Sequence, residues 1–129
     1  MKATFFCLLV LLLVTCKVRQ VEPKQSFTSY SVAGFDSILH REKVQLVDVR
    51  TEPEYKEKAM RGAVNIDVKD STFINKADSL LDKTIPVAVY CKGGIRSKKA
   101  AEKLSVRGYK VYNLAEGFDA WLKEGMPVK

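Results

Sequence analysis

Histidine is almost missing from this chain and cysteine is scarce, with one of the first and three of the second among 129 residues. The single histidine, His40, has no co-ligand near it, and Cys7, Cys16 and Cys91 lack metal-ligand spacing, so the sequence calls for no metal site. Three such cysteines are also too few and too badly placed for a disulfide framework. His40 falls at the end of a predicted helix, where an imidazole beside the last carbonyls is commonplace, and it is read as structural or exposed. Internal repeats and low-complexity segments are absent. No apolar run is long enough to span a bilayer: Phe5 to Val14 covers about half of the ~20 residues a helix needs. Acidic residues are the minority, 15 against 22 lysines and arginines, for a net charge of +7. The basic residues are scattered, with only Lys98-Lys99 and Lys56 to Lys58 approaching a cluster. No aromatic-interleaved basic stripe exists, so nucleic acid is not expected as a partner. A solvated surface accounts for most of this charge.

What is present begins with an address. Met1-Lys2 supplies a small positive region ahead of the apolar run, the pattern of an export signal. Leu13-Val14-Thr15-Cys16 then resembles the lipobox of bacterial lipoproteins, with Thr15 where that family carries a smaller residue. The resemblance implies lipidation of Cys16 as the first mature residue; ordinary signal cleavage and an uncleaved anchor compete with it. Residues 1–15 are therefore read as a signal peptide, 16–25 as a lipidated N-terminus and tether, and 26–129 as the folded domain. The tether is polar and contains Pro23, and extended it reaches about 30 Å at ~3.3 Å per residue. The expected setting is the cell envelope, on the periplasmic side of a membrane.

Within the domain, short apolar β-branched runs alternate with amphipathic stretches. Strands are predicted over Phe27 to Tyr30, Val44 to Val49, Gly62 to Ile66, Pro86 to Cys91 and Val111 to Leu114. The intervening helices begin near Ser31, Thr51 or Glu52, Thr72, Ser97 and Phe118. Ser31 is a suitable N-cap, Pro53 suits a first helical turn, and Gly108 suits a helix end. Phe73, Ile74, Ala77, Leu80 and Leu81 form one apolar face, and Ala100, Ala101 and Leu104 another. Strands apolar on both faces imply a three-layer α/β/α domain with a central parallel sheet of about five strands. Ligands bind such sheets at the carboxyl ends of the strands, where Asp48 and Cys91 both fall.

Cys91 carries the chemistry. It ends an apolar strand and is followed by Lys92-Gly93-Gly94-Ile95-Arg96-Ser97, and then by a lysine- and alanine-rich helix. Glycines let backbone N–H groups turn inward, and a helix start adds partial positive charge, so the loop can hold an anionic sulfur. Lys92 and Arg96 are placed to attract an anionic donor, with bracing of the loop an equal role for Arg96. Asp48 and Arg50 are read as an ion pair supporting the loop. Tyr90 is expected to point into the structure and Trp121 to belong to the core.

In these residues the chain from about Ser26 onwards resembles the single-domain rhodaneses. Leu46-Val47-Asp48-Val49-Arg50 with Glu54-Tyr55, Gly62-Ala63-Val64-Asn65-Ile66, the C-x-x-G-x-R-S pattern from Cys91 to Ser97, and Glu116 to Trp121 with Gly125-Met126-Pro127 carry the likeness in order. Two departures stand out: Lys58-Ala59 replaces a Gly-His pair, and Glu116 replaces the first of two glycines. The resemblance implies a sulfurtransferase without cofactor, in which Cys91 takes a sulfane sulfur from an anionic donor such as thiosulfate and yields it to cyanide or a thiol. A cysteine phosphatase is disfavoured, because its cradle holds one residue more between cysteine and arginine. A sulfur- or anion-binding module and a redox-active thiol compete with the sulfurtransferase reading.

Overall fold

The computed structural model describes residues 27–129. The signal, Cys16 and the tether read over 1–25 lie outside the described residues. The chain runs β1 (Phe27–Tyr30), α1 (Val32–Arg41), β2 (Gln45–Asp48), α2 (Glu52–Glu57), β3 (Val64–Asn65), α3 (Phe73–Leu80), β4 (Val87–Tyr90), α4 (Ile95–Val106), β5 (Val111–Leu114) and α5 (Gly117–Lys123). All strands pair in parallel in the order β1-β5-β4-β2-β3. After β2 the chain steps to β3 on one side, and after β4 it steps to β5 on the other. The reversal lies between β2 and β4, and it opens the sheet at the carboxyl ends of those two strands. Asp48 and Tyr90 stand opposite each other there, and the Val49 N–H donates to the Tyr90 carbonyl at 3.0 Å.

Alternation along the strands divides the core into two layers. Val47, Val49, Val87 and Val89 meet Phe73 and Ala77 of α3 and Ala100, Ala101 and Leu104 of α4. Ala88, Tyr90, Tyr112 and Leu114 meet Val32, Phe35 and Ile38 of α1 and Phe118 and Trp121 of α5. Every residue of β4 is buried, as suits a central strand covered on both sides. This is the expected three-layer α/β/α arrangement with five parallel strands.

Local rules account for most boundaries. The Ser31 side chain accepts from the Gly34 N–H at 3.2 Å and starts α1. Thr51 and Glu54 form a capping box at α2 with Pro53 in its first turn. Several boundaries differ from expectation by a residue or two, and three of them bear on packing or on the site. β3 shortens to Val64–Asn65, although the Ile66 and Val68 N–H groups still donate to the Asp48 and Val49 carbonyls. Leu80 is 60% exposed, because α3 ends there and Leu81 in the next, extended residue packs inward instead. Finally, α4 begins at Ile95 rather than Ser97, since Gly94 supplies the turn that starts it.

Phe35 joins α1 to α5: it is fully buried and meets Trp121 edge-on at 6.4 Å between centroids. Phe35→Ala is expected to cost about 3–5 kcal/mol of unfolding free energy. Urea titration measures this, and a loss below about 1 kcal/mol would mean that α1 is not packed as described.

Candidate active site

β4 delivers Cys91 to the carboxyl edge of the sheet, where it is 1% exposed. The Gly94 N–H donates to its Sγ at 3.1 Å. The thiol in turn donates to Ser97 Oγ at 3.4 Å, while the Ser97 hydroxyl donates to the Gly94 carbonyl at 3.1 Å. Once the thiol has lost its proton, rotation of that hydroxyl turns Ser97 from acceptor into donor to the sulfur. The first bond of the α4 ladder runs from the Lys98 N–H to Gly94. The N–H groups of Ile95, Arg96 and Ser97 are therefore outside the ladder, at the positive end of the helix dipole.

The loop keeps this form because its outer side is held by the β5–α5 turn. The Phe118 N–H donates to the Cys91 carbonyl at 2.8 Å and the Asp119 N–H to the Lys92 carbonyl at 3.0 Å. These two bonds anchor the start of the loop, and the Gly94 N–H faces the sulfur inside it. Gly94 has φ +100° and Gly117 φ +74°, both in the left-handed region. A Cβ on Gly94 would lie 2.0 Å from the Ala115 carbonyl oxygen, and one on Gly117 would lie 2.3 Å from that of Lys92. Glu116, by contrast, has φ −94°, which any residue adopts. Its departure from the family pattern therefore needs no left-handed backbone at this position. At the other departure, Ala59 is fully buried and the Lys58 carbonyl accepts from Arg50.

The charged residues around the loop are paired. Arg96 donates from Nη1 and Nη2 to Glu54 Oε1 and Oε2 at 2.7 and 3.0 Å, tying the first turn of α4 to α2. This pair is the contact that a brace requires. This bond, joined by those from Thr51, holds the Glu54 carboxyl down at about 2. Lys92 Nζ lies 2.9 and 2.8 Å from the two carboxylate oxygens of Asp119. Asp48 and Arg50 form the expected ion pair, with Nη2 2.6 Å from Oδ2 and both side chains buried. The Arg50 guanidinium also donates to the Lys58 carbonyl at 2.7 Å and sits 4.6 Å from the Phe118 ring centroid. It thus supports the loop through Phe118, whose N–H holds Cys91. Gly93 and Ile95 are exposed at the rim, Ile95 by 86%.

Glu54, Gly117, Phe118 and Asp119 join the site without being marked as site residues by the sequence. Glu54 is locally a first-turn acid of α2 and half of its capping box, and its long-range partner has no sequence signal. Tyr90 and Trp121 are buried as expected.

A thiol at the end of a central parallel strand, wrapped by a tight glycine loop that opens a helix, defines an α/β domain with one buried free cysteine at the carboxyl edge of its sheet. Residues 31–124 match the family described as the rhodanese-like domain. The chain belongs to that family. It is 34% identical over 96 residues to thiosulfate sulfurtransferase 18 of Arabidopsis thaliana, covering 65% of this chain and 71% of that protein. It is also 34% identical over 86 residues to thiosulfate sulfurtransferase GlpE of Coxiella burnetii, covering 65% and 77%. Similarity to a tRNA uridine(34) hydroxylase of Acinetobacter baumannii, again 34%, spans 84% of this chain but only 36% of that enzyme. Among solved structures, a rhodanese-like domain protein from Staphylococcus aureus superimposes with a TM-score of 0.67 at 31% identity, over 79% of this chain and 98% of that one.

The Glu54–Arg96 pair makes stability depend on acid. A carboxyl held at about 2 against an ordinary 4.5 stabilises the fold fully above pH 4.5, and this contribution is lost as the pH falls through 2. Urea unfolding of the protein and Glu54→Gln at a series of pH values should show a stability gap that is constant near neutrality and shrinks in acid. A gap unchanged down to the lowest pH at which the protein folds would sink this assignment.

Proposed function

We propose that the protein is a sulfurtransferase that carries sulfane sulfur as a persulfide on Cys91. The observation that supports this most is the Gly94 N–H bonded to Sγ in a loop followed by three N–H groups outside the helix ladder. In the first half-reaction the Cys91 thiolate attacks the outer sulfur of a donor such as thiosulfate. The new S–S bond forms as the donor's breaks, and the electron pair leaves with sulfite. The outer persulfide sulfur then carries the negative charge, and the N–H groups of Ile95 to Ser97 are placed to stabilise it as an oxyanion cradle would. In the second half-reaction cyanide or a thiol attacks that outer sulfur and the Cys91 thiolate departs. Ser97 donates to the sulfur at both stages in which Cys91 is a thiolate. Asp48, Arg50, Glu54 and Arg96 position the loop.

Incubation of the protein with thiosulfate should add the mass of one sulfur atom at Cys91 in intact-protein and peptide mass spectrometry. Cyanide should remove it, and Cys91→Ser should never acquire it. An unmodified thiol under these conditions would leave the sulfurtransferase reading without support.

The setting proposed for this reaction is the face of a membrane in the cell envelope, with Cys16 lipidated and residues 16–25 as the tether. The apolar run Phe5 to Val14 and the sequence Leu13-Val14-Thr15-Cys16 support it. Two acyl chains, at roughly 0.8 kcal/mol per buried CH₂, hold a protein stably at a bilayer. Among the described residues no helix is long and apolar enough to cross one. The full chain made in a bacterium should partition into detergent, and Cys16→Ser should abolish this. Recovery of the unaltered chain in the aqueous phase would overturn the lipid anchor.

A further inference from the structure

The chain enters the domain at the edge of the sheet opposite Cys91. Phe27 opens β1 and stands in register with Val111, Val111 with Val87, and Val87 with Gln45, so the amino ends of four strands share one edge. Helices that cross back over a parallel sheet run against its strands, and α1, α3 and α4 therefore end at that same edge. α4 is 12 residues long, about 18 Å at 1.5 Å per residue, which sets Val106 roughly that far from the Cys91 loop.

Two apolar side chains stand in solvent there. Leu80 closes α3 at 60% exposure and Val106 closes α4 at 58%. The Arg107 guanidinium, 2.7 Å from the Asp78 carboxylate, and the Tyr109 hydroxyl, which donates to it at 2.9 Å, tie those two helix ends to each other. Leu80 and Val106 thus come to one corner of the edge, beside a groove of about 480 Å³ lined by Ile74, Lys99, Glu102, Lys103, Val106 and Arg107. The surrounding edge is basic. Arg41, Lys43, Lys83, Lys103, Arg107 and Lys110 outnumber Glu42, Asp78, Asp82 and Glu102, while Lys123 and Glu124 at the end of α5 cancel. Lys83 and Arg107 share the one carboxylate of Asp78. Lys103 has no ion pair among the described residues. The tether that leads to Phe27 adds Lys17, Arg19 and Lys24 against Glu22.

From this we infer that the domain seats its amino edge on an anionic lipid surface, with Leu80 and Val106 among the headgroups and the neighbouring lysines and arginines against the phosphates. Exposed apolar side chains ringed by cations suit such a surface. The first leave water, and the second meet a negative potential that decays within about 10 Å. An acidic protein would match the charge, but the point of chain entry favours the bilayer: a tether joined at Phe27 presents this edge to it first. Seated so, the Cys91 loop opens roughly 18 Å above the surface, toward donors and acceptors in water. The inference rests on the membrane setting proposed above and goes beyond the lipid anchor, because it assigns binding to the folded domain itself.

The test is hydrogen exchange of the full chain, read by mass spectrometry, on vesicles of phosphatidylglycerol with phosphatidylcholine and on phosphatidylcholine alone. Amides of residues 78–83 and 103–110 should exchange at least about threefold more slowly on the anionic vesicles, and about 500 mM salt should shrink the difference. Those of residues 92–97 should exchange alike on both. Lys103→Glu combined with Lys110→Glu, both at exposed positions, should remove at least about half of this protection and leave the loading of Cys91 by thiosulfate as it was. Leu80→Ser should reduce the protection as well, without changing exchange in the core strands. A chain bound to both kinds of vesicle with equal exchange at 78–83 and 103–110 would overturn the seating and keep the anchor. Slowing at 92–97 instead would overturn it too. Slowing by soluble polyglutamate and not by the anionic vesicles would assign this surface to an acidic protein and overturn the lipid. A chain that binds neither vesicle would remove anchor and seating together.

Discussion

The Cys91 loop has no room for a side chain where it meets the β5–α5 turn, and the rest of the site depends on that contact. Gly94 lies against Ala115 and Gly117 against Lys92, each closer than any Cβ could be accommodated. Only because these backbones touch can Phe118 and Asp119 take the loop carbonyls. Those two bonds pin the loop on its outer side, and on the inner side the Gly94 N–H meets the sulfur. The cradle is thus a property of two glycines in different segments, brought together because β4 and β5 are neighbours in the sheet.

Around this backbone contact the charges act as braces. The buried Asp48–Arg50 pair and the Glu54–Arg96 fork each link an element of the β2–α2 region to the loop or to the residue that holds it. Breaking one side of a buried pair leaves the other charge uncompensated, at a cost of roughly 3–5 kcal/mol, so the bracing groups are interdependent. A brace has a second consequence. A guanidinium committed to a carboxylate contributes little net field of its own.

Much of the architecture is legible in the residues themselves. Val87 to Tyr90 is apolar throughout and can only be a central strand. Ser31 and the Thr51–Glu54 box each start a helix by satisfying groups within four residues of themselves. Cys91 and the loop that wraps it are recognisable because the loop is contiguous in the chain. Leu80 is where such reading fails: spacing places it on the apolar face of α3, yet the helix ends there and leaves it in solvent. The start of α4 escapes it for a related reason, since the turn at Gly94 lies against Ala115, which is distant in sequence.

The sequence by itself determined the layered α/β fold, the position of the thiol at a strand's carboxyl end, and the ion pair between Asp48 and Arg50. These follow from hydrophobic periodicity and from neighbours two to six residues apart. Only the tertiary structure decided that Arg96 belongs to Glu54, that Lys92 belongs to Asp119, and that Gly117 rather than residue 116 must be small. Those partners lie 42, 27 and 25 residues apart in the chain and meet only when the parallel sheet brings the ends of its strands to one edge. Charge neutralisation and backbone closure are decided by distance in space, which a local pattern does not encode.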